Sequence, residues 1–142
     1  MKRVLGIDYG ERRIGMAISD PTGTIAQPLP PLRRRRGRRP PYKSIQDVGA
    51  RYDIGALVLG LPLDLEGEET SWSAEVRAVG EELSRRVGVP AHFVDERFTS
   101  VQAERAIRSL GLPRGERERK DRVDTAAAVL ILQSWLDRRD RS

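Results

Sequence analysis

The nine residues Ile54–Pro62, IGALVLGLP, constrain the fold more than any other stretch of the chain. An apolar run this short and continuous, closed by Gly and Pro, is the pattern of a strand covered on both faces. Such a strand belongs in a sheet with helices on each side, and the flanking segments supply both. Residues 2–9 read as a strand, and Arg12–Asp20 alternates Ile14, Met16 and Ile18 with Gly15, Ala17 and Ser19 at a period of two. Between them YGE predicts a tight turn in which Gly10 takes a positive φ. DPTG at 20–23 predicts another turn, and TIAQPL a third, short strand that Pro28 ends or confines to a sheet edge.

The proline-bracketed run PLPPLRRRRGRRPP, 28–41, reads as an exposed loop rather than regular structure. Helices are expected over about 42–51 and over TSWSAEVRAVGEELSRRVG, where Trp72, Val76, Val79 and Leu83 share a face and Gly88 is the stop. PAHFVDE reads as a strand. Thr99 and Gln102 form a capping-box pattern launching a helix to about Leu110, GLPRGERERK reads as a polar loop, and a last helix spans Asp121 to about Asp137. Strands separated by helices imply parallel crossovers. The expected fold is α/β, a mixed five-stranded sheet of three antiparallel strands then parallel strands, flanked by helices, in a single domain over 1–142.

Lys and Arg number 26 against 21 Asp and Glu, a net charge of +5 that favours polyanionic partners such as nucleic acid. Cysteine is absent, which excludes disulfide frameworks and thiolate metal sites and suits a reducing compartment. MKRVLGIDYG runs straight into strand-like sequence, and no apolar stretch approaches the roughly 18 residues of a membrane span. A soluble, cytoplasmic protein with no membrane partner is expected.

Three acids stand out. Asp8 shares a strand face with Val4 and Gly6, opposite the small residues Gly15, Ala17 and Ser19, and either caps the turn or faces a hollow there. Glu96 follows a strand whose carboxyl end is where ligands gather in parallel sheets, although an exposed acid ahead of a helix cap fits the same pattern. By alternation Asp95 points to the opposite face. Asp124 precedes Ala127, Ala128, Ile131 and Leu132 at helical spacing, which puts it on an apolar inward stripe unless it is an N-cap or completes a first turn opened at Asp121. His92 is the one histidine, so a Ser/His/Asp arrangement has little support. Hard oxygen donors without His or Cys suit Mg²⁺ or Mn²⁺, and three converging acids are enough to hold two such ions roughly 4 Å apart for phosphodiester hydrolysis.

Taken together, GIDYGERRIGMAISD, VLGLPLDLEG, VDERFTS and KDRVDTAAAVLILQSWL resemble the YqgF family, also called RuvX. Its members are described as Holliday junction resolvases and as nucleases that process the precursor of small-subunit ribosomal RNA. The resemblance runs over nearly the whole chain, in the family's order. It implies an RNase H-like fold, and it implies that Asp8, Glu96 and Asp124 are metal-binding catalytic acids. It further implies hydrolysis at the 5′ end of the ribosomal RNA precursor, within ribosome biogenesis. The alternatives are junction cleavage in DNA recombination and repair, or a non-catalytic nucleic-acid-binding module. Gly60 would permit close approach to the sheet and Gly67 a turn, or both are purely structural. EGEET lacks a second glycine often found in that loop, and the RRRRGRR insert is richer in arginine than the family pattern.

For substrate contact the candidates are Arg33, Arg34, Arg35 and Arg36 within the basic run 33–39, together with Arg12, Arg13 and Arg97 near the proposed acids. Aromatic residues make up only 5%, so extensive base stacking is not expected, and structured RNA or branched DNA would be bound mainly through its backbone. Pre-ribosomal particles are a candidate partner, and monomer and homodimer both remain open. GIDYGERRIG also resembles the first phosphate loop of actin-like and sugar-kinase ATPases, but those need two such domains and 142 residues supply one.

Overall fold

The computed structural model describes residues 2–34, 39–98 and 116–140, with residues 98, 116–125 and 140 described in backbone only. Five strands, β1 (Arg3–Tyr9), β2 (Arg13–Ser19), β3 (Ala26–Arg33), β4 (Ile54–Leu61) and β5 (Ala91–Asp95), form one sheet in the order β3-β2-β1-β4-β5. The pairs β1–β2 and β2–β3 are antiparallel, whereas β1–β4 and β4–β5 are parallel. This is the expected mixed sheet. Helix α1 (Tyr42–Tyr52) leads into β4, α2 (Ser71–Val87) joins β4 to β5, a 3₁₀ turn (Glu96–Phe98) follows β5, and α3 (Glu116–Asp140) comes last. The helix expected over 99–110 lies outside the described residues.

Strand alternation sorts the side chains onto two faces. Leu5, Ile7, Ile14, Met16, Leu57 and Leu59 face α1 and α2, where Ile45, Val76, Val79 and Leu83 complete one core. On the other face, Val4, Ala17, Ala56, Val58 and Val94 lie under Ala127, Ala128, Ile131, Leu132 and Leu136 of α3. That second face is built of small residues, so α3 sits close to it. A Cβ at Gly6 would lie 2.7 Å from Leu132 Cβ and 3.3 Å from the Ala128 carbonyl oxygen. Gln133 fixes the helix lengthwise, accepting from the Ala26 N–H and donating to the Thr24 carbonyl, each at 2.9 Å. Helix α2 is bounded by a reciprocal Thr70–Ser73 capping box and by Gly88 at φ 77°.

Three details differ from the sequence reading. First, Pro28 lies on an edge strand, one of the two expected outcomes, but β3 continues through Pro30 and Pro31 to Arg33 where the run from 28 was expected to be a loop. It is an edge strand paired only with β2, so prolines without N–H groups are tolerated on it. Second, α3 begins at Glu116 rather than Asp121. ERERK, read as part of a loop, consists of strong helix formers. Asp124 is therefore in the helix interior and is not its N-cap. Third, positive φ among the described glycines belongs to Gly23, Gly67 and Gly88, not Gly10. The β1–β2 turn needs Gly10 because its N–H donates to the Arg13 carbonyl at 3.0 Å and a Cβ would lie 2.5 Å from that oxygen.

The hairpin that α3 grips is held by Asp20, whose Oδ1 accepts from the N–H groups of Thr24 and Ile25 at 2.8 Å. These bonds, first the one from Ile25, hold its carboxyl well below the usual carboxylate range.

Two measurements check this packing. Gly6→Ala should lower stability by about 1–3 kcal/mol in urea unfolding, because the new methyl has no room beneath Leu132; an unchanged midpoint would show that α3 rides higher. Since the folded pKa of Asp20 is depressed, its contribution is complete above the ordinary value of about 3.9 and declines as pH falls further. The stability gap between wild type and Asp20→Asn should accordingly be largest near neutrality and narrow below about pH 4.

Candidate active site

The carboxyl ends of β1, β4 and β5 lie at one edge of the sheet, and there the two acids on the α3 face meet. Asp8, one residue from the end of β1, is 6% exposed, and Glu96, directly after β5, is 2% exposed. Alternation along β5 puts His92, Val94 and Glu96 on the α3 face, and His92 stacks against Trp135 of α3 with ring centroids 5.0 Å apart. His92 is thus part of the packing at the far end of the helix.

Glycines make the space between the acids. In the ladder Asp8 faces Gly15 of β2, and the β1–β4 register, Ile7 beside Leu59, continues to set Asp8 beside Gly60. A Cβ at Gly60 would lie 2.7 Å from Glu96 Oε1 and 2.5 Å from Ile131 Cδ1. The Glu96 carboxylate therefore lies over Gly60, the position that the register sets beside Asp8. Any side chain at position 60 would occupy the ground between them.

Position 124 is described by backbone only. It lies one helical turn before Ala128, which packs over Gly6, and seven residues before Ile131, which packs over Gly60. The α3 axis thus carries position 124 on the same stripe, toward the strand ends that bear Asp8 and Glu96. Among the described residues no group of three His, Cys, Asp or Glu side chains converges. Asp8 and Glu96 are two hard oxygen donors flanking a hollow lined by glycine, a donor set that fits Mg²⁺ or Mn²⁺ and not a soft metal.

Basic side chains gather along the same edge. Arg13 and Arg33 are cross-strand partners at the ends of β2 and β3, and the Arg34 N–H donates to the Arg12 carbonyl at 2.7 Å. Arg12 and Arg33 are exposed. Arg34 donates to the Gly10 carbonyl at 2.9 Å and stacks 4.6 Å over the Tyr9 ring. Arg35 and Arg36 lie outside the described residues. Arg97 is held by Asp95 through Nε at 3.2 Å and Nη2 at 2.7 Å, and its Nη1 reaches the Leu65 carbonyl at 3.2 Å. Its guanidinium holds the Asp95 carboxyl below its usual range.

The sequence reading set Asp95 aside, yet with Arg97 it ties the β5 end to the loop after β4. Asp64 organises that loop, accepting from the N–H groups of Glu66 at 3.0 Å and Glu68 at 2.8 Å, while Gly67 turns it at φ 84°. An Asp two residues ahead of an Arg in VDERF was the available signal, but spacing alone does not tell a latch from two solvated charges.

The RuvX model, described as Holliday junction resolvase, matches residues 2–138. Relatives named "Putative pre-16S rRNA nuclease" include one from Maridesulfovibrio salexigens, 40% identical over 96% of this chain and 98% of its own length. Another, from Anaeromyxobacter sp., is 41% identical over 96% of this chain and 98% of its own length. Among solved structures, Thermus thermophilus RuvC in complex with a Holliday junction substrate superposes with a TM-score of 0.56, at 16% identity, over 99% of this chain and 96% of that one. The Fowlpox virus resolvase complexed with Holliday junction DNA gives a TM-score of 0.57 at 10% identity, over 95% and 97%. At those identities the likeness shows a shared fold, that of RNase H-like resolvases. A model match over residues 2–138, relatives at about 40% identity along their whole length and the expected strand order agree on one conclusion: this chain belongs to the RuvX family.

Proposed function

We propose that the chain is a divalent-metal-dependent endonuclease that hydrolyses phosphodiester bonds in the 5′ region of the small-subunit ribosomal RNA precursor, acting in the cytoplasm on pre-ribosomal RNA. The observation that carries the reading is the approach of two buried carboxylates, Asp8 and Glu96, over the side-chain-free position Gly60, beside an edge rich in arginine. The choice of RNA is supported by the names of the relatives at about 40% identity. The family description supports a DNA junction as the competing substrate.

In this reading Asp8, Glu96 and Asp124 hold two Mg²⁺ or Mn²⁺ ions. Ions bound there would supply an activated water and neutralise charge developing on the leaving oxygen. The protein's own contribution is positional. Asp8 is fixed by the central strand, Glu96 by the turn after β5, and Asp124 by a helix already locked to the sheet at Gly6. Arg12, Arg13 and Arg33 line the approach and would neutralise phosphates flanking the scissile one, giving salt-sensitive and largely sequence-independent affinity. Arg97, held by Asp95, would keep the loop after β4 in place at the site's rim. The described helices include none long and apolar enough to cross a membrane. Cleaving one RNA end needs a single copy of the site, whereas symmetric cuts in a four-way junction need two, so the substrate decides between monomer and homodimer.

The test is a side-by-side cleavage assay in Mn²⁺ on an extended ribosomal RNA precursor and a four-way DNA junction. Cleavage of the RNA alone is expected, and cleavage of the junction alone would transfer the assignment to recombination. Asp8→Asn, Glu96→Gln and Asp124→Asn should each lower the rate by at least about 10²-fold, the upper loss seen for residues that merely support a metal ligand. Folding, followed by circular dichroism, should be retained. Wild-type cleavage by the three variants would refute the metal-site reading.

Gly60→Ala probes the geometry without removing a donor. Its methyl would displace the Glu96 carboxylate and the tip of Ile131, so half-saturation by Mn²⁺ should move to higher concentration while stability falls by about 1–3 kcal/mol. An unaltered metal dependence would mean that Glu96 acts elsewhere.

A further inference from the structure

The reverse side of the same sheet edge carries a cavity that the hydrolytic reading leaves unused. Asp8 and Tyr9 are consecutive on β1, so their side chains leave the strand on opposite faces. On the Tyr9 side, between the start of α1 and the start of α2, lies a cavity of about 780 Å³, within the range of small-ligand sites. Its walls include Tyr9, Glu11, Arg34, Tyr42, Trp72 and Glu75. The chain has only two Trp and three Tyr, and three of those five rings line this one space. Tyr9 and Trp72 stack with centroids 5.8 Å apart at 23°, and the Arg34 guanidinium lies 4.6 Å over the Tyr9 ring.

Each part of that lining selects against some ligands. Tyr9 is 4% exposed and already covered by Trp72 and the Arg34 guanidinium, so the rings that the lining offers to a flat, π-rich group are those of the half-buried Trp72 and Tyr42. Two carboxylates, Glu11 and Glu75, repel a phosphate inside the cavity but accept from the N–H groups of a base edge. Burial pushes the Tyr9 hydroxyl up to about 12, so it stays a neutral donor. Arg34 and Pro40 also line the cavity, Arg34 with its guanidinium engaged by the Tyr9 ring and the Gly10 carbonyl. We propose that this cavity seats one unpaired nucleobase of the bound strand, around the β1 end from the acids, and that Glu11 and Glu75 favour guanine, with its ring N–H and amino donors, over uracil, with a single N–H. The inference rests on the reading that the chain acts on nucleic acid, and it makes the cavity the element that sets which nucleotide lies near the cut.

The test reads the cavity without turnover. In a Trp135→Phe chain, Trp72 is the sole tryptophan, and chelator removes any divalent metal. Single-stranded hexaribonucleotides are then titrated while Trp72 emission and the anisotropy of a labelled oligonucleotide are followed together. Saturable quenching is expected, with a sequence containing one guanine among uridines bound about tenfold more tightly than hexauridine. Glu75→Gln should narrow that preference without shifting the melting temperature, and Trp72→Leu should weaken binding about tenfold in the anisotropy signal. Normal anisotropy with unmoved Trp72 emission would remove the subsite and leave the nuclease reading standing. Failure of both signals with every oligonucleotide would remove the subsite, while loss of the nuclease reading would require absence of cleavage in the Mn²⁺ assay. Quenching by a chain that cleaves nothing in Mn²⁺ would keep the subsite and remove the nuclease.

Discussion

The close seating of α3 on a glycine- and alanine-rich sheet face is the contact on which the rest of the structure depends. Leu132 and Ala128 pack directly onto Gly6, and Ile131 onto Gly60. Ile131, Leu132 and Leu136 are fully buried there, each worth roughly 1.5–3 kcal/mol of apolar burial. The same contact sets where the helix ends up relative to the strand ends. Were the face built of larger side chains, α3 would stand off the sheet, and position 124 would move with it. Gln133 and the Asp20 hairpin fix the remaining freedom, sliding along the helix axis. Stability and site geometry therefore come from one set of residues.

Against that apolar background the buried carboxylates are costly, and the surroundings show how the cost is limited. Asp8 and Glu96 stand at the strand ends, where the helix-covered core gives way to the rim. Two of the arginines at this edge are immobilised rather than loose. Arg97 is clasped by Asp95, and Arg34 by the Gly10 carbonyl and the Tyr9 ring. A basic edge held in this way needs less ordering when a polyanion arrives than one of free side chains would.

How much of this could be read from the sequence depended on whether a periodicity carried it. The alternation in Arg12–Asp20 and the apolar run of β4 led to the right strands and to the mixed sheet, because a half-buried strand and a doubly covered one leave different patterns. The faces of Asp8 and Glu96 followed from counting by two. Where composition stood in for periodicity, boundaries slipped. The prolines of β3 suggested a loop because they lack N–H donors, but only one side of an edge strand needs them. The charges of ERERK suggested solvent and a loop, although such residues extend an exposed helix well, and α3 starts five residues earlier than expected. The Asp95–Arg97 latch and the aromatic cavity were invisible for a different reason. The reach of Arg97 to the Leu65 carbonyl and the lining of the cavity both join residues far apart in sequence, whose proximity arises only when the strands and helices are assembled.

The end of β1 shows why two such different surfaces arise together. A strand presents successive residues to opposite sides, so an acid followed by an aromatic, Asp8 then Tyr9, gives one polar and one π-rich surface back to back. On the acid side the neighbours Gly15 and Gly60 keep the space open; on the aromatic side Trp72 and Tyr42 are brought in by the first turns of α2 and α1. The Gly10 turn then sends the chain directly into Arg12 and Arg13, so positive charge sits where the two surfaces meet. The carboxylate hollow therefore lies on one side of that charge and the aromatic cavity on the other. Displacing β1 by one residue would exchange the two, which is why its register with β2 and β4 matters more to the chemistry than any single side chain on the rim.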